Sequence, residues 1–394
     1  MRIDVFFDVY PHPAKPYLEA QLIEWRRQGH GLRLFSLGQI SDARSEFDIT
    51  FIDTLRQRPV QLSCRVISRI LTRPARCWRI WRSERRIVAK VKRLATDAQL
   101  PSDTPDVYFM HNLATAVRFS YLKRAAPRTT LAIYYHGGEI PGVRQIPFET
   151  SAQALRRADI IFSNTEASVR DVVSRGAPAD RTARIPVGFP LERFVLPAGR
   201  SHLPDDRWRF ACVGRMAREK GFDVALRAFA ALRAHIPSFQ VTFIGGGPEL
   251  QPLRQLSSEL GLDDIVRFRG HVAFDSLVPQ LAEFDALVLS SRPVAGANCA
   301  ETQATVMQEA MLMGTVVVAS DIGGVRESLP AALHPYLYTP GSVHELRDRL
   351  IALATCDRRA LHRLSAIARE FVRTHYDIRA INERLLRHLE SVAA

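Results

Sequence analysis

The residues of this sequence whose types and spacing could do chemistry are concentrated in its C-terminal half. Glu301 and Glu309 are separated by seven residues, and the stretch between them passes from a loop into a predicted helix that ends at Gly314. Free backbone N–H groups and the helix dipole make such a junction an anion site. The two carboxylates could bind hydroxyls while the helix start holds a phosphate. On its own, however, a glutamate pair at this spacing is more typical of an ordinary solvated helix.

Two cations upstream favour the chemical interpretation. In VGRMAREKGFDVAL, residues 213–226, Arg215 and Lys220 lie between a predicted strand and a predicted helix. Two cations at the carboxyl end of a strand suit a diphosphate. In FIGGGPE, Gly245 and Gly246 follow another strand, where the missing side chain lets a ligand approach the backbone. Each signal alone also fits a solvated loop or a tight turn, so the prediction depends on their combination.

Histidines end two predicted strands of the N-terminal half, His111 in YFMHNL and His136 in YYHGGEI. A lone histidine is more often structural than catalytic, but the His-Gly-Gly at a strand end makes a place in a ligand cleft an equal alternative. The sequence contains no Asp-x-Asp, no metal-ligand spacing of His, Asp or Glu, and no Gly-x-Ser-x-Gly elbow. It therefore predicts neither a metal-bridged diphosphate site nor a serine hydrolase.

The elements that must position these residues follow from an alternation of short apolar runs with helical periodicity. Strands are predicted at IDVFFDVY, GLRLFSLG, DVYFMH, TLAIYYHGG and ADIIFSNT, and after Pro204 at WRFACVGR, FQVTFIGGG, DIVRFRG, DALVLSS and TVVVASD. Such alternation implies parallel sheets with right-handed crossovers. The predicted fold class is α/β, with two doubly wound, Rossmann-like domains facing across a cleft that receives the carboxyl ends of the strands.

Length and composition set the outer limits. A chain of 394 residues is too long for one ordinary core, so two domains are expected. Pro and Gly cluster in RIPVGFPLERFVLPAGRSHLPDD, which predicts domains of 1–190 and 191–372 followed by a segment of 373–394. The stretch REFVRTHYDIRAINERLLRHLESV is predicted to form one long amphipathic helix. Five scattered cysteines without CxxC spacing indicate reduced thiols and a cytoplasmic location.

Most of the net charge comes from one segment. Residues 54–96 contain thirteen Lys or Arg and one acid, Glu84, while the whole chain carries +13. The start of the chain lacks the features of a signal peptide, and no apolar run could span a bilayer, so any membrane contact is expected to be peripheral.

Three interpretations of this basic segment remain open. A solvated arginine-rich face of packed helices would explain its apolar positions at helical spacing, which are Val66, Ile67, Ile70, Leu71, Trp78, Trp81, Val88, Val91 and Leu94. A nucleic acid would pair arginine with phosphate and tryptophan with bases, although no nucleic-acid module accompanies the segment. An anionic membrane surface suits a basic amphipathic helix with tryptophan at the interface, and we favour it.

The motifs in their order resemble one known family. GRMAREKG, IGGGPE, the Glu-x7-Glu of ETQATVMQEAMLMG and VVASDIGGVRE are similar to the C-terminal domain of the family-4 retaining glycosyltransferases, which have the GT-B fold. The likeness extends over nearly the whole chain. DIIFSNTEASVRDVVSRGAP followed by RIPVGFPLERF resembles the end of that family's acceptor-binding N-terminal domain, and the C-terminal helix resembles the one that crosses back onto it.

The resemblance implies a role for each matching residue. Arg215 and Lys220 would hold the donor diphosphate, Glu301 would contact the donor sugar, and Glu309 would bind the ribose. His136 would lie near donor sugar and acceptor. The remaining residues implied at the donor are Gly245, Gly246, His271, Gln303, Ala304 and Thr305, and His111 is expected on the acceptor side. Transfer would proceed with retention from a UDP- or GDP-linked sugar, without cofactor or metal, because cations and amides stabilise the charge on the diphosphate.

The sequence departs from the family at two places. Thr302 and Ala304 stand where the family often has Gly and Pro, which predicts a different loop and different sugar contacts. The Gly-Gly loop after the first strand is replaced by YPHPAKPYLEAQ, from which Lys15 is the predicted substitute.

The predicted function is a glycosyltransferase that acts on a lipid-linked or polysaccharide-precursor acceptor and makes peripheral contact with the inner face of the plasma membrane. The alternatives are a glycosyltransferase with a soluble small-molecule acceptor and a non-catalytic GT-B-like protein that binds polyanions.

Overall fold

Two parallel β-sheets form the framework of the protein. The computed structural model describes residues 1–12, 16–40, 45–53, 59–83, 86–137, 146–197, 207–294 and 301–393. Seven strands form the first sheet, in the order β3-β2-β1-β4-β5-β6-β7. Their bounds are Arg2–Phe7 (β1), Gly31–Ser36 (β2), Ile49–Phe51 (β3), Val107–Met110 (β4), Thr130–Tyr135 (β5), Ile160–Ser163 (β6) and Thr182–Arg184 (β7).

The central strands of this sheet are buried along their whole length. Every residue of β4, β5 and β6 is buried, as expected of parallel strands that are covered by helices on both faces. The covering helices are Pro16–Arg27 (α1), Pro59–Thr72 (α2), Pro74–Ser83 (α3), Ile87–Asp97 (α4), Leu113–Phe119 (α5), Tyr121–Ala125 (α6), Phe148–Arg157 (α7) and Glu166–Ser174 (α8).

Six further strands form the second sheet, in the order β10-β9-β8-β11-β12-β13. They are Trp208–Val213 (β8), Phe239–Ile244 (β9), Val266–Gly270 (β10), Ala286–Leu289 (β11), Val316–Ser320 (β12) and Leu337–Tyr338 (β13). The helices are Phe222–Leu232 (α9), Leu250–Glu259 (α10), Phe274–Leu281 (α11), Thr305–Leu312 (α12), Val343–Ala354 (α13), Arg358–His375 (α14) and Ile378–Ala393 (α15). Short 3-10 turns lie at Ala179–Arg181, Leu191–Arg193, Arg218–Lys220, Arg326–Ser328 and Ala331–Tyr336.

The predicted fold class is confirmed, because the chain builds two all-parallel, helix-covered sheets. All ten predicted strands are present. The prediction missed β3, β7 and β13, which are two or three residues long and therefore give no periodic signal. The proposed domain bounds at residues 190 and 372 stay predictions. The structure adds that the first sheet ends at Arg184 and the second begins at Trp208.

The C-terminal stretch was predicted as one helix, and this prediction was wrong. The chain leaves α14 at His375 and enters α15 at Ile378. Between the two helices, backbone groups bond to Phe189 and not to the next helical turn. The Phe189 N–H donates to the Tyr376 carbonyl at 2.8 Å, and the Phe189 carbonyl accepts from the Ile378 N–H at 3.1 Å. Helix α15 then packs against α1, where Asn382 accepts a 3.1 Å hydrogen bond from the Trp25 indole.

Among the described residues, no helix has the length and apolar character needed to cross a bilayer.

Candidate active site

The loop after β8 is held closely against its neighbours at the carboxyl edge of the second sheet. Gly245 has a φ of 140°, and a Cβ on it would lie 1.9 Å from the carbonyl oxygen of Gly214, so only glycine allows the two strand ends to meet. On the other side of the loop, the Ser290 hydroxyl donates to the carbonyl of Lys220 at 2.8 Å. These contacts fix the turn Arg218–Lys220 over the ends of β8, β9 and β11.

Lys220 and Glu301 meet on this edge although they are 81 residues apart in the chain. The Lys220 Nζ lies 2.5 Å from Oε1 of Glu301. The Glu301 side chain is almost fully buried, whereas about a fifth of the Lys220 side chain stays exposed. Ser291, which follows β11, donates a hydrogen bond to the same carboxylate oxygen. A buried carboxylate with a cation and a hydroxyl donor is thus preformed beside a partly open ammonium group.

The backbone of Glu301 is fixed by the glycines after β12. The Gly324 N–H donates to the Glu301 carbonyl at 2.8 Å. A Cβ on Gly323, whose φ is 59°, would lie 2.0 Å from that same carbonyl oxygen. The Ile-Gly-Gly turn after β12 therefore packs against the Glu301 backbone and holds it in position.

Helix α12 begins with an uncapped end directly after this loop. Ala304 is its N-cap residue, has a left-handed conformation with a φ of 48°, and makes no side-chain capping hydrogen bond. A non-glycine residue in this region stores about 1 kcal/mol or more of strain, which is found mostly at functional sites. The Met307 N–H donates to the Ala304 carbonyl at 2.9 Å. The N–H groups of Thr305 and Val306 precede the first carbonyl groups within the helix that could accept from them, which is the arrangement at a helix start that can bind an anion.

Gln303 joins this loop to the first domain instead of pointing its side chain at the helix start. Its Nε2 donates to the Val187 carbonyl at 2.8 Å, and its Oε1 accepts from the Val187 N–H at 2.7 Å. The buried amide thus pairs with the backbone as a neighbouring strand would. Any contribution of Gln303 to a phosphate site is therefore limited to its own backbone.

Two histidines face each other at the carboxyl edge of the first sheet. Nδ1 of His111 and Nε2 of His136 are 3.4 Å apart, and the two rings are nearly parallel. His111 also stacks on Phe7, and His136 stacks on Tyr134 with ring centroids 4.3 Å apart. The sequence left both a structural role and a role in a ligand cleft open for these residues. In the structure both rings are stacked on aromatic neighbours, with His111 buried and His136 half-buried at the strand end. Their role in a ligand cleft stays a prediction.

Thr302 connects the histidine loop to the glutamate loop. Its hydroxyl donates to the His136 carbonyl at 3.1 Å and accepts from Nδ2 of Asn164 at 3.2 Å. A Cβ on Gly137 would lie 2.2 Å from the Thr302 methyl carbon, which explains the glycine after His136. The residue next to Glu301 therefore touches the residue next to the histidine pair, and both sheets contribute to one site.

Glu309 lies in the second turn of α12, where burial raises the pKa of its carboxyl group to about 7, and a hydrogen bond with Thr305 partly offsets this rise. The folded protein therefore holds a proton on this group between the unfolded value of 4.5 and about 7. Above that range the folded state must carry a buried charge, so this contribution to stability is lost as the pH rises.

We expect Glu309→Gln to remove this pH dependence. Relative to the wild type, its free energy of unfolding should be unchanged near pH 4.5 and higher by at most about 3 kcal/mol above pH ~8. Urea unfolding at a series of pH values measures the difference. Glu345→Gln is the control of opposite sign, since hydrogen bonding to Thr339 lowers the pKa of Glu345. A difference for Glu309→Gln that does not grow with pH would contradict the assignment.

The other predicted residues are placed as follows. Arg215 is exposed and forms an ion pair with Glu219 instead of contacting Glu301. A Cβ on Gly246 would meet open space, so a ligand can approach there. His271 is exposed and follows β10, the edge strand two positions away from β8. Lys15 lies outside the described residues. Among the described residues, no three His, Cys, Asp or Glu side chains are grouped so that they could hold a metal ion.

Sequence reasoning missed three polar residues of the site. Ser291 bonds Glu301, Asn164 bonds Thr302, and the Glu327 carboxylate accepts from the backbone N–H groups of Glu166 at 2.8 Å and Ala167 at 3.0 Å. Asn164 directly follows β6 and Ser291 lies two residues after β11, at the edge where the predicted site lies. That position was the available signal. The cap that Glu327 places on α8 from the other domain left no local signal.

The fold and the site define a class of protein: two Rossmann-like domains in which the strand ends of the second sheet carry a cation, buried carboxylates and a helix start without a side-chain cap. Comparison with known proteins agrees. The chain matches the family model described as "Glycosyl transferase 4-like domain" over residues 14–188 and that of "Glycosyl transferases group 1" over residues 199–371. The chain therefore belongs to the family-4, group 1 glycosyltransferases, which have the GT-B fold.

Two relatives and one solved structure illustrate the likeness. The GDP-mannose-dependent alpha-(1-6)-phosphatidylinositol monomannoside mannosyltransferase of Mycobacterium tuberculosis is 28% identical over 72% of this chain and 78% of its own length. A Salmonella typhimurium protein named for colanic acid biosynthesis is 25% identical over 73% and 71%. The structure of HepE from Anabaena in complex with UDP superposes with a TM-score of 0.73 at 18% identity, covering 99% of both chains, which supports the fold.

Proposed function

We propose that this glycosyltransferase moves a sugar, with retention of configuration and without a metal ion, from a UDP- or GDP-linked donor to a lipid-linked or polysaccharide-precursor acceptor. The observation that carries the proposal is the contact of Lys220 with the buried Glu301 at the junction of the two domains. The ammonium group is where a diphosphate would bind, and the carboxylate is where sugar hydroxyls would bind.

Donor binding would exchange partners within this pair. The diphosphate would attract Lys220 away from Glu301, and Ser291 would keep the carboxylate in place for a sugar hydroxyl. The charge that develops on the departing diphosphate would be stabilised by Lys220, by Arg215 after it leaves its exposed ion pair with Glu219, and by the first N–H groups of α12. Once donor binding has placed these charges and dipoles, they need little further reorganisation when the bond between sugar and diphosphate breaks.

Glu309 would bind the ribose hydroxyls in its charged form. Because its pKa is about 7 in the free protein, stabilisation of the carboxylate by hydroxyl donors would lower that pKa and release a proton on donor binding. Nucleotide binding near neutral pH should therefore change its apparent enthalpy with the ionisation enthalpy of the buffer.

The acceptor would enter beside the histidine pair. His136 lies next to the Glu301 loop because its backbone carbonyl accepts a hydrogen bond from Thr302. Its imidazole ring would therefore lie near the donor sugar and the acceptor. The names of the two relatives, which refer to a phosphatidylinositol mannoside and to colanic acid, support a lipid-linked or polysaccharide-precursor acceptor. We further propose that the reaction takes place at an anionic membrane surface.

The test is to offer UDP- and GDP-sugars with membrane-extracted lipids and to determine the anomeric configuration of the product by NMR. We expect the configuration of the donor and equal rates with and without a chelator. An inverted product would overturn retention, and loss of activity in the chelator that added Mg²⁺ restores would overturn metal independence. Transfer to soluble small molecules alone would favour the soluble-acceptor alternative. Absence of donor-dependent nucleoside diphosphate release would favour a non-catalytic protein.

A further inference from the structure

The three helices α2, α3 and α4 carry large apolar side chains that are exposed to solvent. The docking face, as we call it, consists of Ile67, Leu71, Trp78, Trp81, Ile87 and Val88, whose side chains are between 40% and 77% exposed. The sequence analysis gave nine apolar positions of the basic segment, from Val66 to Leu94, that packed helices would bury. Seven of these nine side chains are exposed, and only Leu94 is buried. Packing therefore does not explain the helical spacing of these residues.

The outward position of these residues is set by the helix geometry. In α2, the buried residues Leu62 and Arg69 define the inner face. Ile67 and Leu71, four residues apart, lie one above the other on the outer side. In α3, Cys77 and Ile80 are buried and Trp78 points outward. The helices thus have an apolar stripe facing solvent in addition to the stripe that faces the core.

The charge around the docking face is almost entirely positive; Glu84, between α3 and α4 in the sequence, is an acid that lies outside the described residues. Residues 59–83 and 86–97 contain a single acid, Asp97, and it is buried between Arg76 and Arg69. Arg65 on α2 and Arg82 on α3 have no acid on their own helices. A basic apolar surface of this kind is complementary to an anionic bilayer, whose headgroups take the cations and whose acyl region takes the apolar side chains.

Each exposed tryptophan already has a cation on its ring. The guanidinium carbon of Arg82 lies 4.6 Å from the ring centroid of Trp78, and Nζ of Lys90 lies 4.5 Å from that of Trp81. At a bilayer, the indole would enter the interface while the attached cation remains at the phosphate level. Trp25 and Trp208 are buried, so Trp78 and Trp81 are the tryptophans whose emission can report contact with lipid.

The docking face reaches toward the acceptor side of the cleft. Helix α4 precedes β4, which pairs in parallel with β1, and a helix in such a crossover runs antiparallel to the strand that it leads into. We therefore expect its first turn, with Ile87 and Val88, to lie toward the carboxyl edge of the sheet, where His111 follows β4. Further along α4, the backbone carbonyl of Arg93 accepts a hydrogen bond from Tyr121, which holds α4 against α6. A lipid acceptor would therefore enter the site from the surface to which the protein is bound.

Two other partners fit this face less well. In a symmetric pair of copies, the same patch meets itself, which would bring the positively charged side chains of both chains together. A nucleic acid could bind the arginines through its phosphates and the tryptophans through its bases, but it offers no apolar partner for the aliphatic side chains of Ile67, Leu71, Ile87 and Val88. A bilayer has a place for all of these groups.

We propose that the docking face binds an anionic membrane by insertion of Trp78, Trp81 and the flanking aliphatic side chains between anionic headgroups. The proposed function explains why the protein would bind a membrane, namely to reach a lipid-linked acceptor. Membrane binding itself can be tested without a sugar donor and without turnover. Failure of membrane binding would leave glycosyl transfer untouched, and failure of transfer would leave membrane binding untouched.

The experiment measures partition of the full chain between buffer and vesicles of phosphatidylcholine alone or with phosphatidylglycerol, by co-sedimentation and tryptophan emission. The wild type should bind the anionic vesicles at least about tenfold more strongly, with a blue shift in emission. Arg65→Glu with Arg82→Glu and, separately, Ile67→Ser with Leu71→Ser should each lower that partition at least about tenfold. The matched controls, Arg359→Glu with Arg363→Glu on α14 and Val195→Ser with Ile367→Ser, should bind as the wild type does.

Three results would overturn the proposal. The first is equal partition to neutral and anionic vesicles, or to neither. The second is an equal loss in the control variants, which would show a nonspecific effect of charge or hydrophobicity. The third is occupation of the face by another partner: a concentration-dependent dimer that Ile67→Ser with Leu71→Ser dissociates, or tighter binding to single-stranded nucleic acid than to anionic vesicles.

Discussion

Replacing Lys220 by alanine is expected to lower the rate of sugar transfer by ~10²–10³-fold while the fold survives. The reason is that Nζ of Lys220 is the partly exposed cation beside the buried carboxylate of Glu301, and its loss removes a preorganised charge from the departing diphosphate. Glu301 keeps its hydrogen bond from Ser291, so the carboxylate does not lose all its partners. Nucleoside diphosphate release under saturating donor and acceptor measures the effect.

Two further variants make this result specific. Arg218→Ala removes a neighbouring cation of the same turn, one that pairs with Glu249 and is largely exposed, and should leave the rate within about twofold of wild type, the range expected of a surface ion pair. Glu301→Ala should abolish transfer, because the sugar loses its carboxylate contact and Lys220 loses its anchor. Full activity of Lys220→Ala or Glu301→Ala, with unchanged thermal stability, would remove these residues from the site.

Replacing Asp97 by alanine is expected to destabilise the N-terminal domain by about 3–5 kcal/mol. Asp97 is fully buried at the end of α4 and accepts hydrogen bonds from Arg76 at 2.7 and 3.0 Å, with Nε of Arg69 3.9 Å away. Both arginines are also buried. Without the carboxylate they would remain as uncompensated charges inside the protein, and the three helices of the docking face would lose their common anchor. Calorimetric unfolding measures the loss.

Asp103→Ala is the surface control for this prediction. Asp103 pairs with Arg2 and Arg33, but more than half of its side chain is exposed, so its removal should cost no more than about 1 kcal/mol. Asp97→Asn should lie between the two, because the amide keeps a hydrogen-bond acceptor but not the charge. Equal stability of Asp97→Ala and Asp103→Ala would show that the buried arginines find other partners.

The basic segment illustrates what periodicity can and cannot predict. Helical spacing correctly indicated helices α2–α4, because that signal depends only on neighbours along the chain. It did not reveal which stripe faces inward. Arg69 and Arg76 are buried and Leu71 is the most exposed of the large hydrophobic side chains among the described residues, since the inward direction is chosen by Asp97, Leu100 and other parts of the fold.

The site shows the same limit in a different form. The position of the candidate residues at the carboxyl edges of the sheets could be predicted, because parallel strands deliver their carboxyl ends to one edge and these residues follow the strands. The pairing of Lys220 with Glu301 and the bridge from Gln303 to Val187 could not, because they depend on how separate loops and domains meet. Thr302, a departure from the family pattern, proved to join the glutamate loop to His136.

Calorimetric titration of UDP and GDP into the wild type, Lys220→Ala and Arg218→Ala tests most directly whether Lys220 is part of a nucleotide-sugar site. We predict that one of the two nucleotides binds the wild type, that Lys220→Ala weakens its affinity by roughly 10- to 100-fold, as expected for a hydrogen bond to a charged group, and that Arg218→Ala binds like the wild type. Unchanged affinity in Lys220→Ala, or no binding of either nucleotide to the wild type, would contradict it.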